Sequence, residues 1–354
     1  MDKIPVAVLG ATGLVGQRFI SILSNHPWFK IEYLGASERS KGMRYGDAVT
    51  WVISDSPPNE VAEMVVGGVR EVPRNIEIVF SALPSDVAKD VEVDLAKRGF
   101  VVVSNASPLR LEKDIPLLNP EVNYEHIRLL SKQKRLRGWA GAILKNPNCT
   151  TAILTLSLAP IYEEFGLDEL LVTTMQSISG AGLKGVPGYV ITDNIVPYIS
   201  KEEFKVTHET RKILGRYENG EVKPLDLNIA VTTTRVPVLD GHLEVVYAKL
   251  RKQSDVQSVI DVMSKFKSLP QELKLPTAPR KPIIVRKEAD RPQPRLDRLA
   301  GNGMSVSVGR VDIMNHLSSD WLRYVVLGHN TIRGAAGAAV LIAELYVKLF
   351  TGYK

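Results

Sequence analysis

Over the first 148 positions, short apolar runs alternate with stretches of helical spacing. "VAVLG" (6–10), "KIEYLGAS" (30–37), "IEIVFSALP" (76–84) and "GFVVVSNAS" (99–107) have the character of strands covered on both faces. Leu14, Val15, Phe19, Ile20 and Leu23 recur at the spacing of one helix face between the first two runs. "SDVAKDVEVDLAKRG" supplies a second helix between the last two. Strand and helix in alternation predict a doubly wound parallel sheet with helices on both faces.

The rhythm changes after Cys149. "CTTAILTLSLAP" predicts a helix that ends near Pro160. Longer Val- and Thr-rich runs follow at 169–179, 227–239, 243–251 and 304–311. They predict a mixed or antiparallel sheet in a second, α+β domain. "DVQSVIDVMSKF" (255–266) is one of its helices, and the charges of 286–303 alternate in sign, as in a long ordered loop. The apolar helix of 330–350 is expected to pack back on the first domain. The expected division is 1–148, joined by 330–354, and 149–329.

A length of 354 residues agrees with two domains, and 44% hydrophobic with 24% charged residues is ordinary for a globular protein. No apolar run reaches 18 residues, and a strand begins by about residue 5, so a cytoplasmic protein without a membrane span is expected. A lone cysteine excludes an internal disulfide and a cysteine metal cluster; no metal is expected. The net charge of +6 is spread along the chain without a nucleic-acid signature, and it suits anionic small molecules.

Gly10, Gly13 and Gly16 follow a strand and open a helix. There glycine lets backbone approach a pyrophosphate, which the free N–H groups of the helix start can hold. An NAD site would place an acid at the end of the second strand; here Ser37, Arg39, Ser40 and Lys41 cluster where a 2′-phosphate would sit, with only Glu38 opposing. This composition points to NADP.

Cys149 follows Asn-Pro-Asn and begins a helical run, among the polar neighbours Asn148, Thr150 and Thr151. A helix N-terminus favours a thiolate, so a thiol pKa below the ordinary 8.5 or so is expected. A thiolate beside a nicotinamide suggests aldehyde chemistry through a thioester.

"LGATGLVGQRF", "ASERSKG", "SNASPLR", "NPNCTT", "MQSISGAG", "RVPVLDGH", "DRPQPRLDR" and "HNTIRGAAGAA" together span the chain. In these it resembles aspartate-β-semialdehyde dehydrogenases of the archaeal and fungal type. Related N-acetyl-glutamyl-phosphate reductases carry a different cysteine motif, and "SNAS" lacks the cysteine of glyceraldehyde-3-phosphate dehydrogenase. The resemblance implies a Rossmann-like domain, a catalytic and dimerisation domain, and a homodimer or homotetramer. It implies Cys149 as nucleophile, His242 as acid/base, Gln176 as the residue that positions the acyl group, and Asn148 as an oxyanion donor. Arg235 would clamp the substrate carboxylate, Glu209 the amino group, and Arg110 with Lys212 the phosphate; a salt-bridged solvated helix face remains the alternative for Glu209 and Lys212. Gly10, Thr12, Gly13, Leu14, Val15, Ser37, Arg39, Ser40, Ser81, Ser179, Gly180 and Asn330 would hold NADP, though Asn330 also suits a helix cap. The rival readings are a malonyl-CoA or succinyl-CoA reductase on the same scaffold and a catalytically silent NADP-binding regulator.

Overall fold

The structure is a computed structural model that describes residues 2–316 and 320–352; the last two positions of the expected C-terminal segment lie outside the described residues. The first half builds β1 (Ile4–Leu9), α1 (Leu14–Leu23), β2 (Phe29–Ala36), β3 (Gly67–Gly68), β4 (Ile78–Ser81), α2 (Ser85–Lys97), β5 (Val101–Ser104), α3 (Leu129–Arg137) and β6 (Ala142–Lys145). The strands lie in the order β3-β2-β1-β4-β5-β6, all parallel. Order reverses between β1 and β4, and such a switch point is where nucleotides bind in doubly wound sheets.

The second half adds α4 (Cys149–Phe165), β7 (Leu167–Gln176), α5 (Glu202–Ile213), β8 (Asn228–Arg235), β9 (His242–Leu250), α6 (Val256–Lys265), β10 (Ile283–Val285), β11 (Val306–Ile313), β12 (Trp321–Gly328) and α7 (Gly337–Phe350). Its sheet runs β8-β7-β9-β12-β11-β10. Two of its pairings are parallel and three antiparallel, so the sheet is mixed. Residues alternate along β9: His242, Glu244, Val246, Ala248 and Leu250 are buried, and those between them are half-buried. The buried face packs with α4, whose Ile153, Leu154, Leu156 and Ile161 share a core with Val246 and Val326.

α4 runs through Pro160 to Phe165 instead of ending there. Proline removes one backbone hydrogen bond, but this helix is buried on nearly every side, and its packing outweighs the local cost. β7 stops at Gln176, where a short turn over Ile178–Ala181 takes the chain into the site. β3, β6, β10 and β12 add strands that the hydrophobic pattern did not signal. The 286–303 loop is ordered around buried Asp297, which accepts from Arg291 Nε at 2.7 Å and pairs with Arg286 at 2.8 Å. α7 inserts Ala339, Val340 and Ile342 into a core shared with Val6, Val8 and Phe80 of the first sheet. Among the described residues no helix is long and apolar enough to cross a membrane.

Candidate active site

Register in the second sheet gathers the site. Arg235 pairs with Gln176 at the ends of parallel strands β8 and β7, and His242 pairs with Gly328 where antiparallel β9 and β12 meet. These strand ends share one edge of the sheet, which faces the N-terminus of α4. Cys149 is the first residue of that helix, and Asn148 caps it by accepting from Thr151 N at 3.2 Å. Asn148 Nδ2 donates to Glu202 Oε1 at 2.8 Å, and Asn148 N donates to Glu209 Oε2 at 2.6 Å. The residue expected to polarise an oxyanion therefore fixes the helix start, with one amide N–H left over.

Cys149 Sγ lies 3.2 Å from His242 Nε2. Ser177 N donates to His242 Nδ1 at 3.1 Å, and Ser177 Oγ lies at the same distance. The backbone donor marks Nδ1 as the acceptor and leaves the ring proton on Nε2, facing the sulfur. Burial, then the charge of Arg235, hold the imidazole well below its ordinary pKa. The thiol moves opposite to the expectation. Desolvation and then the Glu202 carboxylate push it up to about 12, against Arg235, the Thr150 N–H and Arg110. The helix terminus does stabilise negative sulfur, but its partial charge is outweighed by lost hydration and a nearby carboxylate. Both shifts favour thiol and neutral imidazole, while Cys149 keeps partial exposure to the cavity.

Cys149 opens into a cavity of about 600 Å³ that Arg110, Arg235, Glu202 and Lys205 also line. Arg235 donates to Ser177 O at 2.7 Å. Arg110 donates to Glu209 Oε1 at 3.0 Å and Asn105 O at 2.6 Å, and its buried Nε has no hydrogen-bond partner among the described residues. Three cations against one acid suit a multiply anionic substrate. Gln176 is buried beside the site, where its amide donates weakly to Thr174 Oγ1 at 3.4 Å.

Three expected assignments change. Lys212 Nζ donates to the carbonyls of Arg110, Glu112 and Ile115 at 2.8, 2.8 and 2.9 Å. An ammonium has three donors, so none is left for phosphate, and burial lowers its pKa to about 8. Glu209 is spent on Arg110 and the Asn148 N–H instead of facing the cavity as an amine ligand. Ser81 donates to Glu92 in a buried cluster with Ser104 and Lys145, away from the cavity that Ala82–Ser85 line.

The cavity extends along the first domain to Val15 and along the second past Ser179, Gly180 and Asn330. Gly10 has φ +73°, and a Cβ there would lie 2.5 Å from the Ala82 carbonyl oxygen. Gly13 is the N-cap of α1 and supplies no side-chain cap, leaving the first N–H groups of the helix to donate to an anion. Gly10, Thr12, Gly13, Leu14 and Val15 make up this turn and helix start, and of them Val15 lines the cavity. Ser37, Arg39 and Ser40 lie in the turn that ends β2, with Arg39 exposed. Asn330 accepts from Gly241 N at 2.8 Å and donates to Ser179 Oγ at 2.9 Å; it lines the cavity and caps no helix. Gly180 permits close approach, since a Cβ there would lie 2.6 Å from Arg235 Nη1.

Sequence reasoning passed over Glu202, Lys205 and Gly334. Gly334 lies in a π-type turn, Ile332–Ala336, and a Cβ on it would meet Cys149 Cβ at 2.6 Å. Arg333 locks that turn by a bidentate pair with buried Glu121 and by a 2.8 Å bond to Met304 O.

A nucleotide cradle on a doubly wound sheet, opposite a cysteine–histidine pair on a mixed sheet, defines the two-domain dehydrogenases that carry an acyl group on sulfur. Residues 5–130 match the semialdehyde dehydrogenase NAD-binding domain, and residues 158–333 match the semialdehyde dehydrogenase dimerisation domain. The chain belongs to the semialdehyde dehydrogenase family. It is 50% identical over 345 residues to an aspartate-semialdehyde dehydrogenase of Archaeoglobus fulgidus, covering 97% of this chain and 98% of the relative. A malonyl CoA reductase (NADP) of Metallosphaera sedula is 41% identical over 347 residues, covering 97% and 96%. The crystal structure of aspartate semialdehyde dehydrogenase with NADP from Candida albicans superposes with a TM-score of 0.89 at 42% identity, covering 98% of each chain.

Proposed function

We propose that this protein is an NADP-dependent aspartate-semialdehyde dehydrogenase. It interconverts L-aspartyl-4-phosphate and L-aspartate-4-semialdehyde plus phosphate, on the route to lysine, threonine and methionine. The observation that carries this is the 3.2 Å contact of Cys149 Sγ with His242 Nε2 in a cavity that holds Arg110 and Arg235.

In the biosynthetic direction Cys149 sulfur attacks the acyl phosphate as its thiol proton passes to a phosphate oxygen; the carbon–oxygen bond to phosphate breaks, hydrogen phosphate leaves, and a thioester remains on the enzyme. The Gly10–Val15 segment and the Ser37–Ser40 turn are the residues that would hold NADPH, which would supply the hydride. The His242 Nε2–H and the remaining Asn148 amide N–H stabilise the carbonyl oxygen as it gains charge. Arg235 pairs with the substrate carboxylate, and Gln176 closes the site behind the acyl group. Glu202, in place of Glu209, lines the cavity and would face the substrate amino group; it accepts from Asn148 Nδ2 at 2.8 Å and pairs with Lys205 at 3.4 Å, a pair that the substrate ammonium and phosphate would separate. Arg110 and Lys205 take the phosphate, because Lys212 has no free donor. As Glu202 gains an ammonium partner, the carboxylate charge that helps hold the thiol protonated is offset, while Arg110 and Lys205 counter the opposing charge of the phosphate.

Tyr189, Ile195, Tyr198, Phe204 and Leu239 are exposed large apolar residues between β7 and β9. They are the surface for a second copy in a homodimer or homotetramer. A free reactive thiol suits the reducing cytoplasm.

The 41% identity to a malonyl CoA reductase makes coenzyme A the rival acyl acceptor. In the oxidative direction, semialdehyde with NADP should yield NADPH only when phosphate or arsenate is added. Turnover supported better by coenzyme A than by phosphate would make the protein an acyl-CoA reductase instead.

A further inference from the structure

A second cavity, of about 910 Å³, lies at the opposite end of α1 from the glycine loop. Ile22, Ile284, Met304 and Ile332 give it an apolar floor, and Lys267, Arg280 and Lys281 stand around it. Among the described residues no aspartate or glutamate lines it. Among the described residues none of the three cations is in an ion pair. Lys267 also borders a depression that holds Glu163, Glu164 and Asp261, so the unopposed charge rests on Arg280 and Lys281.

The wall that carries these two cations is anchored. Thr277 donates its N–H and its hydroxyl to Glu344 of α7. Ser305 Oγ donates to Lys281 O at 2.7 Å, and Gln271 Nε2 donates to Pro279 O at 3.3 Å. Glu344, the acid behind the wall, is consumed by Thr277 and by His26 Nε2 at 2.7 Å. His26, which also lines the cavity, accepts at Nδ1 from the N–H groups of Trp28 and Phe29 at 3.2 Å, so its Nε2 proton goes to Glu344. The pocket is therefore preshaped, apolar below and positive at the rim.

We infer that this cavity is a second ligand site, which takes a small organic anion bearing phosphate or carboxylate on an apolar body. An inorganic ion would leave most of the volume unfilled, and a neutral apolar molecule would leave Arg280 and Lys281 without counter-charge. Arg280 offers a planar fork to an oxyanion and Lys281 a point charge, while the floor takes the apolar part.

The test uses full-length enzyme saturated with NADP, which closes the nucleotide cradle to the probes. Calorimetric titrations with adenosine 5′-monophosphate and with citrate should show saturable binding of at least one, at one site per chain. Neutral adenosine should bind far more weakly. The exposed pair Arg280→Gln/Lys281→Gln should weaken the anion at least about tenfold, as expected for lost charge-assisted bonds, with turnover unchanged. Absence of saturable binding of both anions at millimolar levels overturns the inference, as does adenosine binding as well as its phosphate. Equal affinity in the double variant overturns it too.

Discussion

Replacing Gly334 by alanine should disable the enzyme without unfolding it. The new Cβ would lie 2.6 Å from Cys149 Cβ and 2.9 Å from its Cα, whereas carbon atoms pack at about 3.5–4.0 Å. One side must therefore yield by roughly 1 Å. The turn is held by Arg333 on Glu121 and by Asn146 Nδ2 on Gly334 O at 3.2 Å, so Cys149 and the first turn of α4 move instead. Two terms act on stability with opposite sign. Alanine gains up to about 1 kcal/mol over glycine in helical backbone, and overpacking costs about 1–3 kcal/mol. The net loss is small, and the melting temperature should fall by only a few degrees. The catalytic loss is larger, because a misplacement of about 1 Å can cost about a hundredfold in rate. Initial rates of semialdehyde oxidation with phosphate and NADP give kcat/KM, and NADP fluorescence titration checks that the cradle is intact. A Gly334→Ala enzyme within threefold of the parent would refute the reasoning, since the contact would then be absorbed without moving the sulfur.

Glu244 is fully buried on β9 with both carboxylate oxygens unpartnered, and burial holds its pKa well above the ordinary value. The folded state then keeps a proton that the unfolded chain loses above about pH 4.3, so stability falls as pH rises, by up to about 1.4 kcal/mol per unit while the folded carboxyl stays protonated. Glu244→Gln should remove that slope in denaturant titrations between about pH 5 and 8, and an unchanged slope would sink the assignment. Cys149 in the free enzyme should alkylate slowly with iodoacetamide near pH 7, at a rate that climbs about tenfold per pH unit toward pH 9, because only the thiolate reacts. Glu202→Gln should raise the rate at fixed pH by removing the opposing charge; a rate already level at neutral pH would show a thiolate in the resting site.

Four strands of the first sheet were legible because short buried strands and a glycine loop are local signals; β3, of two residues, and β6, of four, are too short to give one. Cys149 and His242 were legible as residue types, and the sheet register explains how 93 positions of separation close to a hydrogen bond. The thiol's protonation was misread because a helix terminus is visible in sequence, whereas burial and a carboxylate from α5 are not. Glu202 sits 54 positions from Asn148, and nothing local says that the first turn of α5 meets the start of α4. Glu209 and Lys212 do share a helix face, but their partners are the Arg110 guanidinium and backbone groups of the 110–115 loop and of Asn148, about a hundred and about sixty positions away, which no local pattern reports. β12 has the half-buried alternation of a strand, yet Arg323 and Tyr324 interrupt its apolar run.

The packing of α7 against β1 and β4 has a consequence for biogenesis. The sheet that begins at Ile4 borrows Ala339, Val340 and Ile342 from the far end of the chain to complete its core. A nascent chain emerging from the ribosome cannot finish this half first, as domains commonly do during synthesis. The nucleotide-binding half must wait, partly uncovered, until nearly the whole polypeptide has been made. Its apolar surface is then open to chaperones for almost the full period of translation, and a late stop codon would damage the earliest-made part of the protein.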